Sequence, residues 1–206
     1  MVCVDFDGTI LNFNDCLKNF LAKDNVTFRP EKVKFYDYSN EGIGCSKETI
    51  YNAFSQKEFY DNLDFFEGAF KSLEALRSFD DVYAYTGAVD NDVIVNKRKS
   101  LIKRLKLKGY PYLCTEKNQK LEMDIPYYRG GVHKPVILEA DALFEDCVGV
   151  IYNWQKRGAT AEYYLIDAPY NQEEDDTEHL IDWTKVTRCR TFFEAVDIYI
   201  NKHSVS

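Results

Sequence analysis

Short apolar runs that close on an acid or a hydroxyl set the tightest limit on what this chain can become. VCVDF near residue 3, VYAYT ending at Thr86, YLCT ending at Thr115, ALFED ending at Asp146 and EYYLID ending at Asp167 are rich in Val, Ile and Tyr. Runs this short and this continuously apolar predict strands buried on both faces. Helix-like stretches separate them, and alternation of the two predicts a parallel sheet joined by βαβ crossovers. Open sheets of this kind bind ligands beyond the carboxyl ends of their strands. The polar residues that close each run are therefore the candidates for chemistry.

From Leu11 to about Phe66 no β-rich run appears, and apolar residues recur at helical spacing through NDCLKNFLAK and KETIYNAFSQKEFY. Turn signals at Glu41 to Gly44 divide this stretch, and Glu67-Gly68 marks its end. The expected architecture is α/β: a Rossmann-like parallel sheet flanked by helices over residues 1–11 and 67–206, with a small helical cap over residues 12–66. A chain of 206 residues suffices for both, since domains of this size bury roughly 70% of the surface exposed when unfolded.

A formal charge of −8 argues against wrapping a nucleic-acid polymer, because that binding draws on Lys and Arg contacts to phosphates. The basic segment from Asn91 to Lys108 is the exception. Its Val93, Ile94, Leu101, Ile102 and Leu105 equally give it the apolar stripe of an ordinary surface helix. EEDDTE over 173–178 is read as a solvated loop. No apolar run approaches the roughly 20 residues of a membrane-spanning helix, no leader pattern precedes MVCVDF, and the six cysteines show no CxxC pair. A cytoplasmic protein, monomer or homodimer, acting on a small molecule away from membranes is expected.

Asp5-Phe6-Asp7-Gly8-Thr9 follows the first apolar run. Side chains two apart on a strand share a face, so Asp5 and Asp7 are expected side by side with Phe6 turned to the core. Neighbouring carboxylates repel unless one is protonated or a cation lies between them, and Mg²⁺ is the natural oxygen-loving cation. An aspartate can also attack phosphorus, while a second, protonated one supplies a proton to the leaving oxygen. Thr86-Gly87 would present a hydroxyl and backbone N–H groups to a phosphoryl oxygen, or simply cap a helix. Lys134, in GGVHKP, would offset negative charge in a transition state, or be a solvated loop lysine. Glu145 and Asp146 close a run that should otherwise stay apolar, and a metal shared with Asp5 is their simplest partner. Asp146 is expected as the direct ligand and Glu145 as acting through water.

These motifs, in this order, resemble the haloacid dehalogenase superfamily: DFDGT as its first, Thr86 its second, Lys134 its third and Glu145-Asp146 its fourth. The resemblance implies that Asp5 attacks phosphate and Asp7 is the acid/base and offers its backbone carbonyl to Mg²⁺. It also implies that the segment after the first motif caps the substrate. DFDGTILNF, LDFFEGAFKSLEAL, ADALFEDCVGVIYNW and DAPYN are further similar to the 5'(3')-deoxyribonucleotidase branch. That similarity implies a nucleoside monophosphate substrate and gives Phe13 as the aromatic that stacks on the base, with Phe35, Tyr36 and Tyr38 as neighbours. Phe13 as a packing residue inside the cap is the other reading. The chain departs from the branch at Glu145-Asp146-Cys147, where Asp-Asp-Arg is usual, and at Thr86-Gly87, where Thr-Ser is usual. A sugar-phosphate phosphatase, a phosphomutase, or a binding protein that keeps the site without turnover stay open as alternatives.

Overall fold

Strands β1 (Val2–Val4), β2 (Val82–Ala84), β3 (Ala142–Glu145), β4 (Glu162–Ile166) and β5 (Val186–Cys189) form a parallel sheet in the order β2-β1-β3-β4-β5. The computed structural model describes residues 1–34, 38–85, 136–172 and 180–204. Val4 pairs with Ala84 on one side and Phe144 on the other, so β1 is an interior strand. Alternation of side chains sends Val2, Val4, Phe144, Tyr164 and Ile166 to one face and Cys3, Leu143, Tyr163 and Leu165 to the other. Both sets are buried. That is why the strand sequences read as continuous apolar runs rather than alternating ones.

The stretch after β1 carries three helices among the described residues before residue 66: α1 (Phe13–Ala22), α2 (Lys47–Phe54) and α3 (Lys57–Asp61). In α1, Phe13, Cys16, Leu17, Phe20 and Leu21 recur at three- and four-residue spacing and are buried together. Ser46 starts α2 by accepting the backbone N–H of Thr49 at 3.1 Å. KETIYNAFSQKEFY is not one helix but two, divided at Ser55 and Gln56. The ends of the insertion meet. Asn12 N–H donates to Asp64 O at 2.8 Å and Phe66 N–H to Ile10 O at 3.0 Å, so entry and exit run side by side as a narrow neck.

Helices α4 (Ala69–Phe79) and α6 (Phe192–His203) cover the first face of the sheet, and α5 (Val148–Lys156) the second. In the second layer Trp154 Nε1–H donates to the Tyr85 hydroxyl at 2.9 Å, tying α5 to the end of β2. From β1 the sheet extends one way to β2 and the other way through β3 to β4 and β5. The strand order reverses beside β1, and the carboxyl ends of β1 and β3 are where an open α/β sheet of this order places its ligands. β5 was not foreseen. Its Thr187 and Arg188 are exposed and it lies at the sheet edge, so VTRC carries no apolar run. The strand read in YLCT, the basic segment 91–108 and the acidic run 173–178 lie outside the described residues.

Candidate active site

The β1 ladder persists one residue past the strand, where Asp5 N–H donates to Phe144 O at 2.9 Å. Asp5 is 1% exposed, and Phe6 behind it is fully buried. The chain then doubles back: Leu11 N–H donates to Phe6 O at 2.7 Å and Gly8 N–H to Leu11 O at 3.1 Å. Gly8 makes this turn with φ +79°, and a Cβ built on it would stand 1.8 Å from Asp146 Oδ2. Backbone conformation and close approach both demand glycine here.

At the end of β3, Glu145 and Asp146 are completely buried. Carboxylate oxygens of Asp5, Glu145 and Asp146 all lie within 4.8 Å of one another. Glu145 Oε1 accepts the backbone N–H groups of Asp146 and Cys147, each at 3.2 Å, which turns its carboxylate back onto the strand end. The Tyr170 hydroxyl donates a hydrogen bond to Asp146 Oδ2. Asp146 Oδ1 is buried and has no hydrogen-bond partner among the described residues. Burial, then the charges of Asp5 and Glu145, push the Asp146 carboxyl well above the usual carboxylate range.

The helical insertion reaches this site through Tyr38. Its pKa is driven far up by burial and by the negative charges of Asp7 and Asp146. Its hydroxyl donates to Asn14 Oδ1 at 3.0 Å, and its backbone has φ +56°, rare for a side-chain-bearing residue. Phe13 is 9% exposed and packs among the insertion's own aromatics, with ring centroids 5.1 Å from Phe54 and 5.0 Å from Phe59.

Of the residues singled out in the sequence, Asp5, Glu145 and Asp146 come together. Glu145, expected to act through water, has a carboxylate oxygen within 4.8 Å of those of the two aspartates. The Asp7 carboxylate is half-buried and does not join the group. The β1 ladder ends at Asp5, and Asp7 stands beyond it, immediately before the turn at Gly8. Thr86, Gly87 and Lys134, with Phe35 and Tyr36, lie outside the described residues. Sequence reasoning missed Tyr170. The signal for it was DAPYN placed directly after the apolar run of β4, at the carboxyl end of the sheet where ligand loops converge.

Three acids buried this close are tolerable only with shared protons or a cation. An all-oxygen donor set that includes the buried, unpartnered Asp146 Oδ1 fits a hard divalent ion such as Mg²⁺. Among the described residues no helix is long and apolar enough to cross a membrane.

No protein-family model matches the sequence, and no curated protein matches it. Solved structures do match in shape. A hydrolase from Pseudomonas syringae aligns over 98% of this chain and 98% of its own, with 12% identity and a TM-score of 0.51. A haloacid dehalogenase-like family hydrolase from Streptococcus pneumoniae aligns over 96% of this chain and 97% of its own, with 12% identity and a TM-score of 0.53. At that identity the likeness speaks to architecture, and it agrees with the parallel five-stranded sheet and its flanking helices. The chain therefore has the haloacid dehalogenase-like α/β fold.

Proposed function

We propose that the chain is a Mg²⁺-dependent phosphomonoester hydrolase that works through an aspartyl-phosphate on Asp5, with nucleoside monophosphates as its substrate class. The observation that carries this is the buried group of Asp5, Glu145 and Asp146 at the reversal point of the sheet. Nothing in the packing of a stable core calls for three acids there, whereas a cation and an anionic substrate do. For the substrate class, support comes from the motif resemblance, one element of which, DAPYN, contributes the Tyr170 hydrogen bond to Asp146.

Asp5, Glu145 and Asp146 would hold Mg²⁺ through carboxylate oxygens, and Asp7 through its backbone carbonyl as the resemblance implies. Bound Mg²⁺ supplies positive charge that offsets repulsion between the phosphate and the attacking carboxylate. An Asp5 oxygen attacks phosphorus as the bond to the substrate oxygen breaks, and Asp7 gives its proton to that oxygen. Asp7 then takes a proton from water, whose oxygen attacks the same phosphorus. Inorganic phosphate leaves and Asp5 is restored. Thr86, Gly87 and Lys134 are assigned to the phosphate oxygens.

The test is phosphate release with Mg²⁺ from deoxynucleoside monophosphates, ribonucleotides and sugar phosphates. Deoxynucleoside monophosphates are expected to be cleaved fastest, and Asp5→Asn is expected to fall to background while keeping its fold by circular dichroism. Substantial hydrolysis by Asp5→Asn would refute the nucleophile. Preference for sugar phosphates, or phosphate passed to a second hydroxyl instead of water, would replace the substrate assignment.

A further inference from the structure

We propose that Tyr170 is a positioning residue for the cation site: its hydroxyl engages one oxygen of Asp146 so that the other is presented to the ion. The inference rests on the metal-dependent function proposed above. Tyr170 lies in the short turn Pro169–Asn171 that follows β4, the strand next to β3. Its O–H donates to Asp146 Oδ2, which leaves Oδ1 buried, without a hydrogen-bond partner among the described residues, as the ligand atom.

The turn is held firmly enough to do this. The Asn171 side-chain amide donates to the carbonyls of Asp146 at 2.8 Å and Ile166 at 2.7 Å, joining the ends of β3 and β4. Arg188 on β5 donates to Asn171 O at 3.0 Å and to Asp167 Oδ1 at 3.1 Å, bracing the turn from the far side. Asp146 is thus gripped twice by adjacent residues, at its carbonyl by Asn171 and at its carboxylate by Tyr170. Gly8 leaves the room. A Cβ there would stand 2.5 Å from the Tyr170 oxygen. A ligating carboxylate freed from such a partner loses orientation, and metal affinity typically falls 10- to 100-fold.

Tyr170→Phe removes the hydroxyl and keeps the ring. Mn²⁺ binding by the full chain, followed by electron paramagnetic resonance and calorimetry, should weaken about 10-fold or more. The Mg²⁺ concentration for half-maximal phosphate release should rise in parallel, with most of the lost rate recovered at saturating Mg²⁺. An unchanged Mn²⁺ affinity overturns the proposal, whatever happens to activity. Should the parent bind Mn²⁺ in an Asp5-dependent way yet hydrolyse no phosphomonoester, the hydrolase reading falls alone and Mn²⁺ affinity still decides the role of Tyr170. A parent that binds no Mn²⁺ overturns both.

Discussion

Gly8 shows how much of the site depends on the absence of one atom. Its φ of +79° lies in the left-handed region, which costs a side-chain-bearing residue roughly 1–2 kcal/mol. Any Cβ would also collide with Asp146 Oδ2. Gly68 separates the two contributions, since it has nearly the same φ, +78°, with nothing within 4 Å of a built Cβ. Gly68→Ala should therefore cost about 1 kcal/mol in urea unfolding. Gly8→Ala should cost clearly more, about 2–4 kcal/mol, because Asp146 or the turn must also move. Equal losses in the two variants would mean that the close approach of the first-strand loop to Asp146 contributes nothing. Asp5 and Asp146 were legible at this scale because acids at the ends of apolar runs have few other uses. Tyr170 was not, because a tyrosine in a turn carries no local pattern that names Asp146, 24 residues earlier, as its partner.

Elements are tied to one another by a few polar contacts at their ends, and Glu162 is the clearest. It opens β4, where Oε1 accepts from Lys202 Nζ at 2.7 Å in the last turn of α6 and Oε2 accepts from the Tyr164 hydroxyl at 2.9 Å. Burial pushes its carboxyl up, but the hydrogen bonds from Lys202 and Tyr164 outweigh burial and hold it below its ordinary value of 4.5. A depressed acid adds stability above the unfolded value and loses it as pH falls through the folded one. Glu162→Gln should therefore be less stable than the parent near neutral pH by about 0.5–1 kcal/mol. The gap should close as the pH of the unfolding titration drops below 4.5, and a gap that held constant into acid would show that the charge of Glu162 is not what ties the two elements. None of this was visible in the sequence, since a lone Glu at a strand start has no local pattern that names a partner 40 residues away. The strands β1, β3 and β4 were legible for the opposite reason: burial on both faces writes itself into every residue. β5, exposed through Thr187 and Arg188, carries no such record.

Across the whole molecule the sheet concentrates negative charge at one point, and the fold bears that cost for the sake of the site. Asp5 comes from one strand end and Glu145 and Asp146 from its neighbour, so all three are brought into contact only when the chain folds. The unfolded chain keeps them apart in water. Without a cation the group should therefore oppose folding, and with one it should favour it, because an ion that binds only the folded state stabilises by RT ln(1 + [L]/Kd). At Mg²⁺ about 100 times its Kd this amounts to about 2.7 kcal/mol. In a chain of this size that corresponds to roughly 5–10 °C in melting temperature. Asp5→Asn removes one charge from the group, and its predicted behaviour has two parts of opposite sign. In chelator it should melt above the parent, because the buried repulsion is smaller. In Mg²⁺ it should gain little, because a ligand is missing, so the two melting curves should cross as Mg²⁺ is added. An Asp5→Asn variant that melts below the parent in chelator would mean that the carboxylates are already neutralised by shared protons. The cation would then be a guest of the site and not the reason its acids can be buried together.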